Sequence, residues 1–392
     1  MKLYQLSIRY LRYNILSFLL NVSLITLGVA IIVIVTTLQN SSDQQLKKNL
    51  KGIDLVIGAK GSPLQLTLSN VYHIDHPTGN IKISELEKIE KHPSVKQSIR
   101  LAYGDTYKGF RILGTSQAYI NHYGGQLSMG KQFTKAMEVV LGNKVATTLG
   151  LTVGDHFHGL HGEIEQHGHV HEGHSYQIVG VLQPSHTVID QLIITPIASV
   201  WEVHGEEDSQ ANTEVTAALL SFKGGAGLVT IPKLINKFTP SLQTSNPALQ
   251  IQMLSQKLSA GYLLMQYIAI IIGVVSLLSI LISMFNAMKD RNTDIAIYRS
   301  LGARPFQILQ IIGVEILMTL ITGILLGYLS GKIISVILSN TILSNYYLNP
   351  SWSIDSRTLL FVLGILVAGL LSGIIPALKV YKINISKTLS HA

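Results

Sequence analysis

The chain has 392 residues, 47% of them hydrophobic and 13% charged, with a formal net charge of +8 and a mean hydropathy of +0.36. That balance excludes an ordinary soluble enzyme and is too polar for membrane spans alone, so a membrane protein carrying a sizeable polar domain is expected. Residues 40–257 hold 18 Lys and Arg against 18 Asp and Glu, and the remainder 12 against 4, which excludes a nucleic-acid surface and places the excess beside the apolar segments.

Residues 1–39 read as an N-terminal amphipathic segment and first span. Lys2, Arg9 and Arg12 precede an apolar run from Ile15 to Leu38, followed by TTLQNSSDQQL in place of a small-residue cleavage site, which indicates an uncleaved signal anchor. Residues 40–257 form an extracytoplasmic domain. Within it GIDLVIGAKGSPLQLTL, YQIVGVLQP, DQLIITPIASVW and TEVTAALLSFK are β-branched runs that predict strands, while Ile83, Leu86 and Ile89 recur at helical spacing up to Pro93. The expected class is α+β. Without cysteine the domain has no disulfide and relies on its own core.

HFHGLHGEIEQHGHVHEGH, residues 156–174, gathers seven of the fourteen histidines: His156, His158, His161, His167, His169, His171 and His174. Neutral imidazoles in this density suit zinc or another divalent transition metal, with Glu163, Glu165 and Glu172 as supplementary ligands. A metalloprotease helix is excluded: HEGH has the wrong spacing, and the glycines around it oppose a helix. The alternatives left open are a metal-binding loop that senses or carries metal, and a solvated, pH-responsive surface.

Residues 258–288 complete a stalk helix and span two; ALQIQMLSQKLSAGYLLMQYI runs into it without a breaker. Residues 289–305 form a short charged cytoplasmic helix, and 306–340 a third span of about 52 Å if helical throughout, long enough that its end should bend, break or protrude. An external linker, 341–357, a fourth span, 358–380, and a cytoplasmic tail, 381–392, follow. Gly323, Gly327 and Gly331 repeat every four residues, as do Gly369 and Gly373, a spacing that lets helices approach closely within the bundle or across a dimer. Glu315 is the one acid inside a span, fit either for a structural pair with a basic neighbour or for a proton or substrate role. Basic residues before span one, between spans two and three and after span four put both termini in the cytoplasm.

MKDRNTDIAIYRSLGARPFQIL, residues 288–309, joins spans two and three. It resembles the coupling segment of the FtsX/MacB-like permeases of ABC transporters, with Arg291, Asp294, Ile295, Ile297, Arg299, Ser300, Leu301, Gly302 and Ala303 in the places of the family motif and Asp294 where Glu is usual. The opening LSIRYLRYNILSFLLNVSLITLGVAI, the ending GIIPALKVYKINISKTL, and VVLGNKVATTLGLTVGDHF in the polar domain are similar to the same family. The resemblance implies four spans in a 1+3 arrangement around a MacB-type periplasmic core, two copies of the permease or a related second one, and a docked pair of cytoplasmic ABC ATPase subunits. The chain has no phosphate-binding G-x-x-x-x-G-K-[ST] loop, so ATP hydrolysis is expected from that partner and the chain itself is expected to be no enzyme. The expected role is mechanical transmission in a bacterial inner membrane, serving export, extraction or metal-linked transport, with a periplasmic or lipoprotein partner. The alternatives are a regulator that activates a periplasmic partner without transport, and a membrane-anchored metal sensor.

Overall fold

The computed structural model describes residues 3–161, 169–204, 214–341 and 350–378. In chain order these form α1 (Leu3–Tyr13), α2 (Ile15–Leu50), β1 (Leu55–Ala59), α3 (Pro63–Val71), β2 (Ile81–Lys82), α4 (Ile83–Glu90), β3 (Val95–Tyr107), β4 (Phe110–Thr115), α5 (Gln117–His122), β5 (Leu127–Gly130), β6 (Glu138–Leu141) and α6 (Asn143–Leu149). There follow β7 (His156–His161), β8 (His169–Leu182), β9 (Leu192–Pro196), α7 (Ile197–His204), β10 (Glu214–Val215), β11 (Ala217–Phe222), α8 (Ala226–Phe238) and β12 (Leu242–Ser245). The helices α9 (Pro247–Asp290), α10 (Asn292–Ser300), α11 (Pro305–Thr341) and α12 (Ser356–Leu378) complete it. The chain divides into two compact units, Asp43–Gln256 and the remainder.

The inserted unit is α+β. Nine strands run in the order β12-β1-β11-β3-β4-β9-β6-β8-β5, with β7 joined to β3 and β8. β4–β9 and β6–β8 are parallel, and the other pairs of this sheet antiparallel. β11 shows why its sequence is apolar at nearly every position: Ala217 and Leu219 enter one core with Leu66 and Leu101, while Ala218, Leu220 and Phe222 enter another with Ile231 and Ile235 of α8. A strand covered on both faces loses the polar alternation of a half-buried one.

Two predicted strands are shorter than expected. GIDLVIGAKGSPLQLTL gives only β1 before α3 begins, because Ser62 caps the helix at the Gln65 N–H and Pro63 occupies its first turn. DQLIITPIASVW likewise changes at Pro196 from β9 into α7, and Pro196 can close the strand because it needs no ladder donor there.

Inside this unit His73 adopts a left-handed φ of 56°. Its Nδ1 lies 2.6 Å from the Tyr103 hydroxyl and its Nε2 2.6 Å from that of Tyr119. Tyr103 donates its own proton to the Ser69 carbonyl, so it accepts from His73 Nδ1–H, and Nε2 accepts from Tyr119. Burial, with the Arg111 charge adding to it, holds the imidazole down to about 3. Nearby, Tyr72 and Tyr123 donate to the carbonyls of Leu46 and Asn49 in the last turns of α2.

The second unit holds four helices long and apolar enough to cross a membrane: α2, α9, α11 and α12. One apolar cluster joins them, including Ile25, Val29, Ala269, Ile280, Ile312, Ile316, Leu320 and Ile365. The glycines make the close approach within the chain: a Cβ on Gly323, Gly327 or Gly331 would sit 2.7, 2.7 and 2.8 Å from the Cβ of Ile25, Val29 and Val33, and one on Gly369 would sit 2.7 Å from Leu320. Gly373 is pressed still more closely against Ile316. α11 runs unbroken to Thr341, so of the bend, break or protrusion expected of its end no break occurs before that residue.

Lys332 of α11 is buried, and its ammonium donates to Thr37 Oγ1 at 3.0 Å and to the carbonyls of Ser351 and Ser353. A span interior with no water to supply partners needs such replacements for hydration.

Because the His73 value lies below the ordinary one, its contribution is complete above about pH 6.5 and declines as the pH falls towards 3. Thermal unfolding of the full chain in detergent should show about 1–2 kcal/mol less stability at pH 5 than at pH 7 from this residue. His73→Phe should be weaker at pH 7 and flatter across the window; equal slopes would refute the assignment.

Candidate coupling site

α10 is set between two sharp stops. At its start Arg291 has φ −99° and ψ 3°, and Asp294 lies in the first turn, where a carboxylate suits the positive end of the helix dipole. At its end Gly302 has φ +95°. The Gly302 N–H donates to Arg299 O at 3.1 Å and the Ala303 N–H to Tyr298 O at 2.9 Å, the paired closure of a Schellman turn. Pro305 then opens α11, and the Gln307 side chain accepts from the Arg304 N–H at 2.9 Å, half of a capping box. The run RSLGARPFQ therefore encodes a stop, a reversal and a restart.

The nine motif residues fall on two sides. Arg291 and Ile295 are buried, as is Ala296 between the two motif isoleucines. Asp294, Ser300 and Gly302 are exposed, as are Ile297 at 41% and Leu301 at 80%; Arg299 and Ala303 are half-buried. Phe306, at the start of α11, is 63% exposed. Large apolar side chains on a short capped helix make a surface suited to a protein partner.

The Arg291 guanidinium meets Glu315 in a bidentate pair, Nη1 to Oε2 at 2.9 Å and Nη2 to Oε1 at 3.2 Å. Tyr10 of α1 lays its ring 3.8 Å from the guanidinium carbon. The basic neighbour expected for Glu315 is thus a motif residue. Tyr10 is absent from the sequence reading because an aromatic on an amphipathic segment gives no sign of what it faces.

The histidine stretch forms the hairpin β7/β8. His156 and His158 are exposed and face Gln177 and Ser175, the register sets His161 opposite His169, and His171 lies on β8. His174 is half-buried, and His167 lies outside the described residues. Among the described residues no three His, Asp or Glu side chains are grouped to hold a metal ion.

Residues 18–228 match the MacB-like periplasmic core domain, and residues 267–385 match the FtsX-like permease C-terminal family. The chain belongs to the FtsX/MacB-like permeases of ABC transporters. Among solved structures it is similar to the periplasmic region of MacB from Actinobacillus actinomycetemcomitans, at 13% identity over 54% of this chain and 98% of that one with a TM-score of 0.37. It is also similar to the extracellular domain of the ABC-type transporter YknZ from Gram-positive bacteria, at 14% identity over 50% and 99% with a TM-score of 0.33. No curated protein matches the sequence.

Permeases of this family are membrane-integral and work with a cytoplasmic ABC ATPase, typically a separate subunit. Within this permease the segment matched to the FtsX-like family contains α10 entire, together with Gly302 and Glu315.

Replacing Gly302 by valine should strain the closure by about 1–2 kcal/mol, since a β-branched residue resists positive φ. Amide exchange over residues 298–304 should quicken while membrane insertion is unchanged; unaltered exchange would show that the glycine is not needed for the turn.

Proposed function

We propose that this permease carries ATPase-driven conformational change to its inserted domain, which performs the work outside the cytoplasm, and that it does so as a pair of copies over two cytoplasmic ATPase subunits. The observation that carries the reading is the exposed face of α10, Asp294, Ile297, Ser300 and Leu301, on a helix closed at both ends. α2 and α9 support it, since each is unbroken from span residues into residues of the inserted unit. The positive charge flanking the spans supports cytoplasmic termini in an inner membrane. The work is then extraction, export or activation of a partner by movement of the inserted domain.

Tagged full-length chain purified from its native membranes should bring an ABC ATPase with it. Leu301→Glu puts a charge on the exposed apolar face and should lower the recovered ATPase by about tenfold at equal permease level. Undiminished recovery would remove α10 as the docking element.

A second reading is favoured by the β7/β8 register, which sets His161 opposite His169 in a hairpin holding histidines on both strands. We infer that this hairpin takes a divalent transition metal, with zinc, copper and nickel as the candidates suited to imidazole. Calorimetry on the full chain should give stoichiometric binding that disappears when the seven histidines of 156–174 become serine. Weak binding, equal in both proteins, would leave the hairpin as a solvated surface.

A further inference from the structure

Three helices of the membrane unit converge on one buried ion pair. Arg291 stands at the start of α10, its partner Glu315 belongs to α11, and the ring stacked on the guanidinium belongs to α1. The side chains of Arg291 and Glu315 are only 9% and 4% exposed. One further contact binds α1 into the same place: Ser7 Oγ donates to Ile311 O at 3.2 Å. α1 therefore touches α10 at its start and α11 alongside.

Both carboxylate oxygens of Glu315 are engaged by the guanidinium, which is the geometry of a structural pair and not of a free carboxylate awaiting a proton or a substrate. Stability alone does not account for the pair either. Burying two charges costs about as much as their attraction returns, and apolar side chains of similar volume often serve as well. What a bidentate pair supplies that an apolar contact does not is a fixed register and orientation, because the planar guanidinium fits the carboxylate in one way.

We propose that Arg291, Glu315 and Tyr10 are positioning residues that lock α1, α10 and α11 into one lever, so that displacement of α10 is delivered to span three and the N-terminal helix together. The proposal rests on the reading of α10 as the ATPase handle, and it gives Arg291 a role distinct from docking: the residue is a buried root, and the exposed residues of α10 are the contact.

The chain has no cysteine, so labels can be placed at will. Nitroxides at cysteines replacing Arg12 of α1 and Ser300 of α10 report the distance between the two helices in the full-length permease, without an ATPase. The otherwise unchanged chain should give one narrow distribution, and Glu315→Gln and Tyr10→Leu should broaden it. In the complex from native membranes the same two substitutions should cut permease-dependent ATPase stimulation by about tenfold while the ATPase still co-purifies. The exchanged pair Arg291→Glu with Glu315→Arg should restore the narrow distribution and the stimulation.

A narrow distribution in Glu315→Gln and Tyr10→Leu, or full stimulation despite a broad one, would overturn the lever. Should Glu315→Gln fail to insert, Tyr10→Leu decides alone, since it leaves no buried charge unpaired. Failure of the handle reading is separate: Leu301→Glu would then leave ATPase recovery unchanged whatever the labels report.

Discussion

A guanidinium and a carboxylate withdrawn from water together are tolerated only where each replaces the other's hydration, and Arg291 and Glu315 meet that condition with two parallel hydrogen bonds. Much of the membrane unit is arranged around this requirement. The motif arginine turns inward at the start of α10, where Ile295 joins the shared apolar cluster and Ala296 is buried, while Ile297 and Leu301 face outward. A helix of nine residues has little stability of its own. The pair at one end and the Schellman closure at the other are what give it a defined place.

The same logic of internal satisfaction runs along the spans. Lys332 is surrounded by a hydroxyl and two carbonyls, Thr36 and Thr358 share a hydrogen bond at 2.9 Å, and Ser279 donates to Asn21 at 2.7 Å. These contacts tie α2 to α9, α11 and α12 at several depths. The glycines of α11 bring its backbone against α2, and they are spent within one chain. α9 also keeps an outward face, with Leu264, Ile271, Val274 and Ile282 exposed along its apolar length. In a bilayer such a face suits lipid or another helix.

Legibility in the sequence follows from how local the physics is. Four apolar runs, a polar insert and a motif ending in Gly-Ala can each be read from neighbours within a few residues, and the structure has four apolar helices with a large domain between the first and the second. The glycine in the motif is legible even in mechanism, since only a positive φ closes α10 as observed. What failed was equally physical. A β-branched run does not show where a strand yields to a helix unless the cap is weighed, and Ser62-Pro63 was the signal passed over. The partner of Glu315 lies 24 residues earlier, beyond any periodicity, and the adjoining loop offers three arginines, Arg291, Arg299 and Arg304, among which no local pattern chooses. Tyr10, His73 and Lys332 owe their roles to tertiary neighbours that no local pattern displays.

The histidine hairpin sits differently in this scheme. The last part of β8 pairs with β5 and β6 through Gln177 to Leu182 and contributes Ile178 and Val181 to a core, whereas its first part pairs with β7 alone. β7 in turn has one described register pair with the rest of the sheet, Thr106 with Leu160, and packs on it through Phe157 and Tyr107, with ring centroids 4.5 Å apart. The buried Phe157 and Tyr176, stacked with ring centroids 5.4 Å apart, close off the core beneath the histidines. Beyond that lid the described ladder pairs of β7 and β8 are with each other, apart from Leu160 with Thr106. A specialised binding function can therefore be added at the tip of this strand pair at small structural cost, while the parts that set helix positions admit little variation.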